Sequence, residues 1–128
     1  MSSVAAKDIL GRYGEDLAVC HLQRGGLLVV ERNWRSPDRD VRGELDVIAR
    51  LGPVLVFCEV KTRRSTAFGL PAEAVSVVKQ ARIRRLARCW IDLHRETTAA
   101  WSEIRFDVVS VLCPWRGDVR IEHLPGVF

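Results

Sequence analysis

The chain has 128 residues, 48% of them hydrophobic and 28% charged, and a formal net charge of +4, a length that predicts a single domain over residues 1–128 with a core of ordinary size. No stretch reaches the roughly 20 apolar residues of a membrane span, and the N-terminus lacks the basic start and apolar run of a signal peptide, so a cytoplasmic protein with no membrane partner is expected. Cys20, Cys58, Cys89 and Cys113 are far apart, form no C-x-x-C and sit among apolar neighbours; with His21, His94 and His123 equally scattered, the pattern favours buried reduced thiols over disulfides or a zinc site.

In chain order, Lys7 to Arg24 reads as a first helix with an approximate apolar stripe of Ile9, Tyr13, Leu17, Cys20 and Leu22, stopped by Gly25-Gly26. Leu27 to Val30 begins a strand that runs to about Trp34. The polar stretch Ser36 to Arg42, with Pro37 and alternating charges, reads as an exposed loop. Glu44 to Ala49 and Val54 to Val60 are β-branched and apolar, and the Arg50-Leu51-Gly52-Pro53 segment between them carries turn residues, so the two runs are expected to pair as an antiparallel hairpin. Thr62 to Leu70 has the composition of a mobile segment. A helix then opens near Pro71, with a break near Ser76, and runs to about Arg95; its buried stripe is Ile83, Leu86, Ala87 and Trp90, while Gln80, Arg84, Arg88 and Arg95 fall on another side. Arg105 to Leu112 is a strongly β-branched strand, and Asp118 to Leu124 alternates like an edge strand. The order α-β-β-β-α-β-β describes an α/β fold, a mixed sheet flanked by helices.

The hairpin carries the chemistry. If it is symmetric about the Gly52-Pro53 bond, paired residue numbers sum to 105, which sets Asp46 opposite Glu59 and Glu44 opposite Lys61, all on one face because side chains alternate with period two. Opposed residues have Cβ atoms about 5 Å apart, and like charges at that distance destabilise a sheet. Glu44 and Lys61 can be read as an ordinary cross-strand ion pair; Asp46 and Glu59 need a proton, a base or a cation between them. Mg²⁺ suits two such carboxylates, because it takes hard oxygen ligands and completes its shell with water and phosphate. Lys61 adds a cation able to orient a water or stabilise charge on a phosphate. A plain solvated sheet face accounts for the same spacing about equally well.

From Lys61 to Arg95 nine basic residues face two acidic ones, a local excess of +7 that leaves the remainder of the chain at −3. Seventeen of the twenty basic residues are arginine, whose planar fork suits phosphate. A basic block that starts at the carboxylates fits an anionic polymer, with a solvated helix face as the plainer alternative. Trp34, Trp90, Trp101 and Trp115 are spread out and read as core or interface aromatics rather than a base-stacking row.

The residues Gly11, Gly14, Glu15 and Ala18, then Asn33-Trp34-Arg35, Gly43-Glu44-Leu45-Asp46-Val47-Ile48, Val56-Phe57-Cys58-Glu59-Val60-Lys61-Thr62-Arg63, Phe68-Gly69 and Arg105-Phe106-Asp107-Val108-Val109 resemble, in order and over almost the whole chain, the small bacterial YraN-type proteins. These belong to the PD-(D/E)XK, restriction-endonuclease-like superfamily, which includes the archaeal Holliday-junction resolvases. The loop from Ser36 to Arg42 and the ending His123 to Phe128 depart from the family pattern. The resemblance implies a restriction-endonuclease-like core, with Asp46 as the first metal-binding aspartate and Glu59 and Lys61 at the E-x-K positions. It further implies Glu15 as a third metal ligand and Gln80 as a helix glutamine near the site, with Glu44 auxiliary. The implied activity is a nuclease dependent on Mg²⁺ or Mn²⁺ that cleaves DNA phosphodiesters, with Arg63, Arg64, Lys79, Arg84 and Arg88 on the nucleic-acid backbone and a homodimer of resolvase type. The alternative is a nucleic-acid binding module that keeps the fold without the chemistry and acts in repair or recombination.

Overall fold

The computed structural model describes residues 6–65, 67, 75–98 and 101–128. Helix α1 (Ala6–Arg24) leads through Gly25-Gly26, where Gly26 takes a positive φ of 92° and Leu27 N–H closes the helix end on Leu22 C=O, into strand β1 (Leu28–Trp34). Strands β2 (Leu45–Leu51) and β3 (Val54–Arg63) form the hairpin, helix α2 (Val77–Leu93) and the single turn α3 (Arg95–Thr98) follow, and β4 (Glu103–Leu112) and β5 (Arg120–Leu124) complete the chain. The five strands lie in sequence order in one sheet. All neighbours are antiparallel except β3 and β4, which run parallel over ten paired residues and so need the crossover that α2 supplies.

The hairpin register is the one the sequence predicts: Val47 pairs Cys58, Ile48 pairs Phe57 and Leu51 pairs Val54, each pair summing to 105. Helices lie on both faces, so the central strands are apolar throughout rather than alternating. On one face Ala18, Val19 and Leu22 of α1 meet Val47, Ala49, Val56, Cys58, Val109 and Val111. On the other, Ile83, Leu86, Ala87 and Trp90 of α2, the expected stripe, meet Ile48, Leu55, Phe57 and Val108.

Four expectations change. The buried seam of α1 is Gly14, Ala18, Val19 and Leu22, whereas Ile9, Tyr13 and Cys20 face water; a seam of small residues sits closer to the sheet than a stripe of large ones allows. Thr62 and Arg63 belong to β3, because β4 pairs with them through to Leu112. Ser76 is the N-cap of α2, its hydroxyl accepting from Lys79 N–H at 3.2 Å, so the expected break is the helix start; the proposed opening at Pro71 lies outside the described residues, as do residues 66 and 68–70 of the segment before it. Cys20 is an exposed thiol, Cys89 is half-buried, and only Cys58 and Cys113 are buried; all four are free.

Candidate functional site

Three polar side chains interrupt the apolar centre of the sheet: Glu59 (6% exposed), Asp107 (0%) and Ser110 (9%). Acidic groups at such depth require partners. Asp107 and Glu59 resolve this in different ways, and the difference locates the site.

Asp107 is saturated. Arg105 donates to both carboxylate oxygens at 2.8 Å, His123 Nε2 lies 2.6 Å from Oδ2, and Gly126 N–H donates to Oδ1 at 2.9 Å. Burial pushes its carboxyl upward, but the hydrogen bonds from His123, Arg105 and Gly126 outweigh that and hold it below the usual range. Cys58 lies close enough to Asp107 and His123 for a metal-ligand trio, a grouping the scattered sequence positions concealed. Every acceptor direction of Asp107 is already occupied, however, and burial, followed by the charge of Asp107, drives the Cys58 thiol strongly upward, away from thiolate. This cluster is a clasp on the C-terminal segment.

Glu59 and Asp46 are not saturated. The β2–β3 ladder ends at Val47 and Cys58, so Asp46 and Glu59 stand side by side one step beyond it, where Asp46 Oδ2 accepts Val60 N–H at 2.9 Å in place of a backbone partner. Burial, then the hydrogen bond and charge of Glu59, push the Asp46 carboxyl from 3.8 up to about 9, so the pair holds a proton when nothing else lies between the two acids. Lys79, in the first turn of α2, reaches Glu59 with Nζ 3.4 Å from Oε1; it was expected on the nucleic-acid backbone instead.

Two further acids complete the cluster. Oxygens of Glu15, Glu44 and Asp46 lie within 4.8 Å of one another. Glu15 is delivered by α1, which approaches β3 so closely that a Cβ on Gly14 would fall 1.9 Å from Thr62 Oγ1 and 2.8 Å from Thr62 Cβ. Burial raises the Glu15 carboxyl, with Asp46 and Glu44 adding to the effect and Asn33 and Arg32 opposing it. Glu44 does not hold Lys61: it accepts from Asn33 Nδ2 at 2.8 Å and from Arg35 Nε at 3.1 Å. It is therefore a member of the acidic group rather than a partner of the lysine. Gly43 before it has φ 107°, and a Cβ there would meet Arg82 and Leu86 of α2, so that glycine sets the path by which Glu44 enters the site.

Asn33 is a site residue that sequence reasoning missed. Its Nδ2 bridges Glu15, at 3.1 and 3.2 Å, and Glu44, and it adopts φ 52°, a conformation that asparagine tolerates better than most residues. The available signal was an asparagine, a poor strand former, inside a β-branched run. Arg12, Arg32 and Arg35, also missed, line an open cleft of about 780 Å³ with the acids Asp8, Glu15, Asp16 and Glu44 and with Asn33; Arg32 is paired with Asp16 at 2.8 Å and Arg35 with Glu44 at 3.1 Å.

Lys61 follows Glu59 by two residues on β3 and has no ion-pair partner among the described residues. Gln80 donates its amide to Val75 C=O at 3.1 Å and braces the entrance to α2 rather than joining the acids. Arg84 lies over the Phe106 and Phe128 rings and, with Arg88, lines a separate cleft of about 680 Å³. Arg64 donates to Cys113 C=O at 3.3 Å beyond the C-terminal end of β3. The donors of the acidic group are all hard carboxylate oxygens, a set that fits Mg²⁺ or Mn²⁺ and not a soft metal.

The fold and site define a mixed α/β protein with a carboxylate cluster and a lysine where a splayed hairpin meets the start of α2 and the inner face of α1. The sequence pattern of the uncharacterised protein family UPF0102 matches residues 14–111, and the chain belongs to that family. It is 52% identical over 126 residues to a UPF0102 protein of Frankia alni (98% of this chain, 99% of the relative) and 55% identical over 122 residues to one of Beutenbergia cavernae (95% and 98%). A UPF0102 protein of Streptomyces griseus is 50% identical over 122 residues, with 95% and 98% covered. No helix among the described residues is long and apolar enough to cross a membrane.

Proposed function

We propose that this chain is a metal-dependent nuclease of the PD-(D/E)XK, restriction-endonuclease-like class, acting on DNA phosphodiester bonds. The observation that carries the reading is the convergence of Asp46 and Glu59 beyond the end of the hairpin ladder, with Lys61 two residues further on. Asp46, Glu59 and Glu15 would hold Mg²⁺ or Mn²⁺, with Glu44 beside them. The ion, when bound, supplies charge neutralisation at the phosphate and lowers the pKa of nearby water. Glu59 is fixed by Lys79, Asp46 by the Val60 N–H, and Glu15 and Glu44 by Asn33, so the acids are oriented before any ligand arrives. The Lys61 ammonium stabilises negative charge developing on the phosphate or orients the attacking water. Arg12 in the adjoining cleft contacts the sugar-phosphate backbone without reading sequence, while Arg32 and Arg35 there stay paired with Asp16 and Glu44.

The test is incubation of purified protein with end-labelled linear, flapped and four-way DNA in Mg²⁺ or Mn²⁺. Wild type is expected to cut, and Asp46→Asn, Glu59→Gln and Lys61→Ala, each checked for folding by circular dichroism, are expected to lose about 100-fold or more. If no substrate is cut, or the variants cut as wild type does, the reading fails.

One observation favours a second reading, a binding module without catalysis: Lys79 already occupies Glu59. Titration calorimetry separates the two. Uptake of Mg²⁺ or Mn²⁺ that depends on Asp46 and Glu59 supports the nuclease, and DNA affinity without such uptake supports the module.

A further inference from the structure

Trp115 is not a core residue. Trp90 is buried and Trp34 and Trp101 are partly buried, but Trp115 is 81% exposed. It lies in the connection between β4 and β5, which is pinned to the end of β3: Cys113 N–H donates to Arg63 C=O at 2.7 Å, extending the parallel ladder. Beside it, the Arg64 guanidinium lies 3.8 Å from the indole centroid. That contact holds the ring upright against one neighbour, while most of its surface stays in water. What marks Trp115 is the combination of a largely exposed ring with a guanidinium stacked on it, which leaves an aromatic surface beside a cation facing solvent.

Its location limits what that surface can meet. Arg64 is three residues past Lys61, about 10 Å along the strand direction. The ladders set Arg63 level with Leu112 and Leu112 level with Arg120, so this end of the sheet carries Arg63, Arg64 and Arg120, with Lys61, Ser110 and Glu122 in the next row on the same face. An exposed aromatic face backed by a guanidinium at an arginine-bearing end of the sheet suits a group that is flat, π-rich and attached to phosphate. A nucleobase meets that description only when unpaired, because in a duplex both of its faces are already stacked.

We propose that the Trp115–Arg64 stack is a docking platform for an unpaired base of the nucleic-acid ligand, placed within about three nucleotides of the acidic site, so that the chain selects substrates with single-stranded nucleotides beside the bond it acts on. The inference rests on the nucleic-acid reading above but not on cleavage. It adds a base contact to the backbone cations.

The test is fluorescence anisotropy in EDTA, where no cutting occurs, with a labelled 12-nucleotide single strand and a blunt duplex of the same length. Trp115→Ala is expected to weaken the single strand by roughly 5- to 150-fold and to leave the duplex within about twofold, while Trp115→Phe keeps most of the affinity. Equal loss on both ligands, no loss on either, or no binding of the single strand by wild type overturns the proposal. So does a change of oligomeric state for Trp115→Ala in sedimentation with strand binding unaltered, which assigns the indole to a second copy of the chain. Because the measurement excludes divalent ions, a failed nuclease assay leaves its result standing.

Discussion

Asp46 is held between two opposed requirements: its backbone acceptor role, through Val60 N–H, favours the charged carboxylate, while its burial and the proximity of Glu59 favour the acid. The second influence wins, so the folded chain binds a proton there more tightly than the unfolded chain does. A group raised from 3.8 to about 9 makes the folded state lose stability as pH climbs through that interval, since the unfolded state releases the proton early and the folded state late. In metal-free buffer, Asp46→Asn is therefore expected to match wild type near pH 4 and to melt at a progressively higher temperature than wild type towards pH 9. Saturating Mg²⁺ should narrow the gap by stabilising wild type alone. Calorimetric scans across that range check it, and parallel curves would contradict it. The facing of Asp46 and Glu59 was legible because a hairpin obeys a two-residue period about a turn marked by Gly and Pro. Asn33, Arg12, Arg35 and the bond from Lys79 to Glu59 were not, because they depend on how β1, α1 and α2 dock, and no local spacing encodes that.

At the scale of the element, α1 shows how small residues can mislead periodicity. An apolar count selects Ile9, Tyr13 and Cys20, yet the helix turns Gly14 and Ala18 to the sheet, and at Gly14 only the absence of a Cβ admits the close approach to Thr62. The two α1 glycines then predict opposite outcomes. A Cβ at Gly11 meets nothing within 4 Å, so Gly11→Ala should raise stability by about 0.5–1 kcal/mol through helix propensity and a less flexible unfolded chain. Gly14→Ala should lower it by roughly 1–3 kcal/mol, because the new carbon falls 2.8 Å from both Thr62 Cβ and Cγ2 and a rotamer change cannot relieve a Cβ contact. Thr62→Ala in the Gly14→Ala background should recover part of the loss, since it removes Oγ1 and Cγ2 and leaves Cβ. Urea unfolding of the three variants measures this, and a stabilised Gly14→Ala would show that the seam is looser than drawn. Glu15 follows Gly14 directly, so the same displacement should also reduce metal uptake.

Across the whole molecule, the order of elements along the chain and the hairpin register were readable from periodicity and turn residues, and α2, the long helix between β3 and β4, is what lets those two strands run parallel. The closure of the C-terminus was not, because it rests on Asp107, an acid inside a β-branched run whose partners stand up to 19 residues away. Arg105, His123 and Gly126 converge on it, Val127 N–H donates to Phe106 C=O at 3.0 Å, and the Phe128 ring stacks on Phe106 at 5.3 Å. The tail therefore covers one end of the α2 face through a single buried charge. Asp107→Asn keeps the volume and removes the charge, leaving Arg105 without its bidentate acceptor, and should cost about 2–4 kcal/mol at pH 7. The pH dependence runs opposite to that of Asp46. A carboxyl held below 3.8 contributes fully above that value and loses its contribution as pH falls through its depressed folded pKa, so the gap between wild type and Asp107→Asn should be present at pH 5 and close under stronger acid. Denaturant midpoints at pH 3, 5 and 7 measure it. A gap that persists unchanged at the lowest pH would mean that Asp107 acts through packing rather than through its charge.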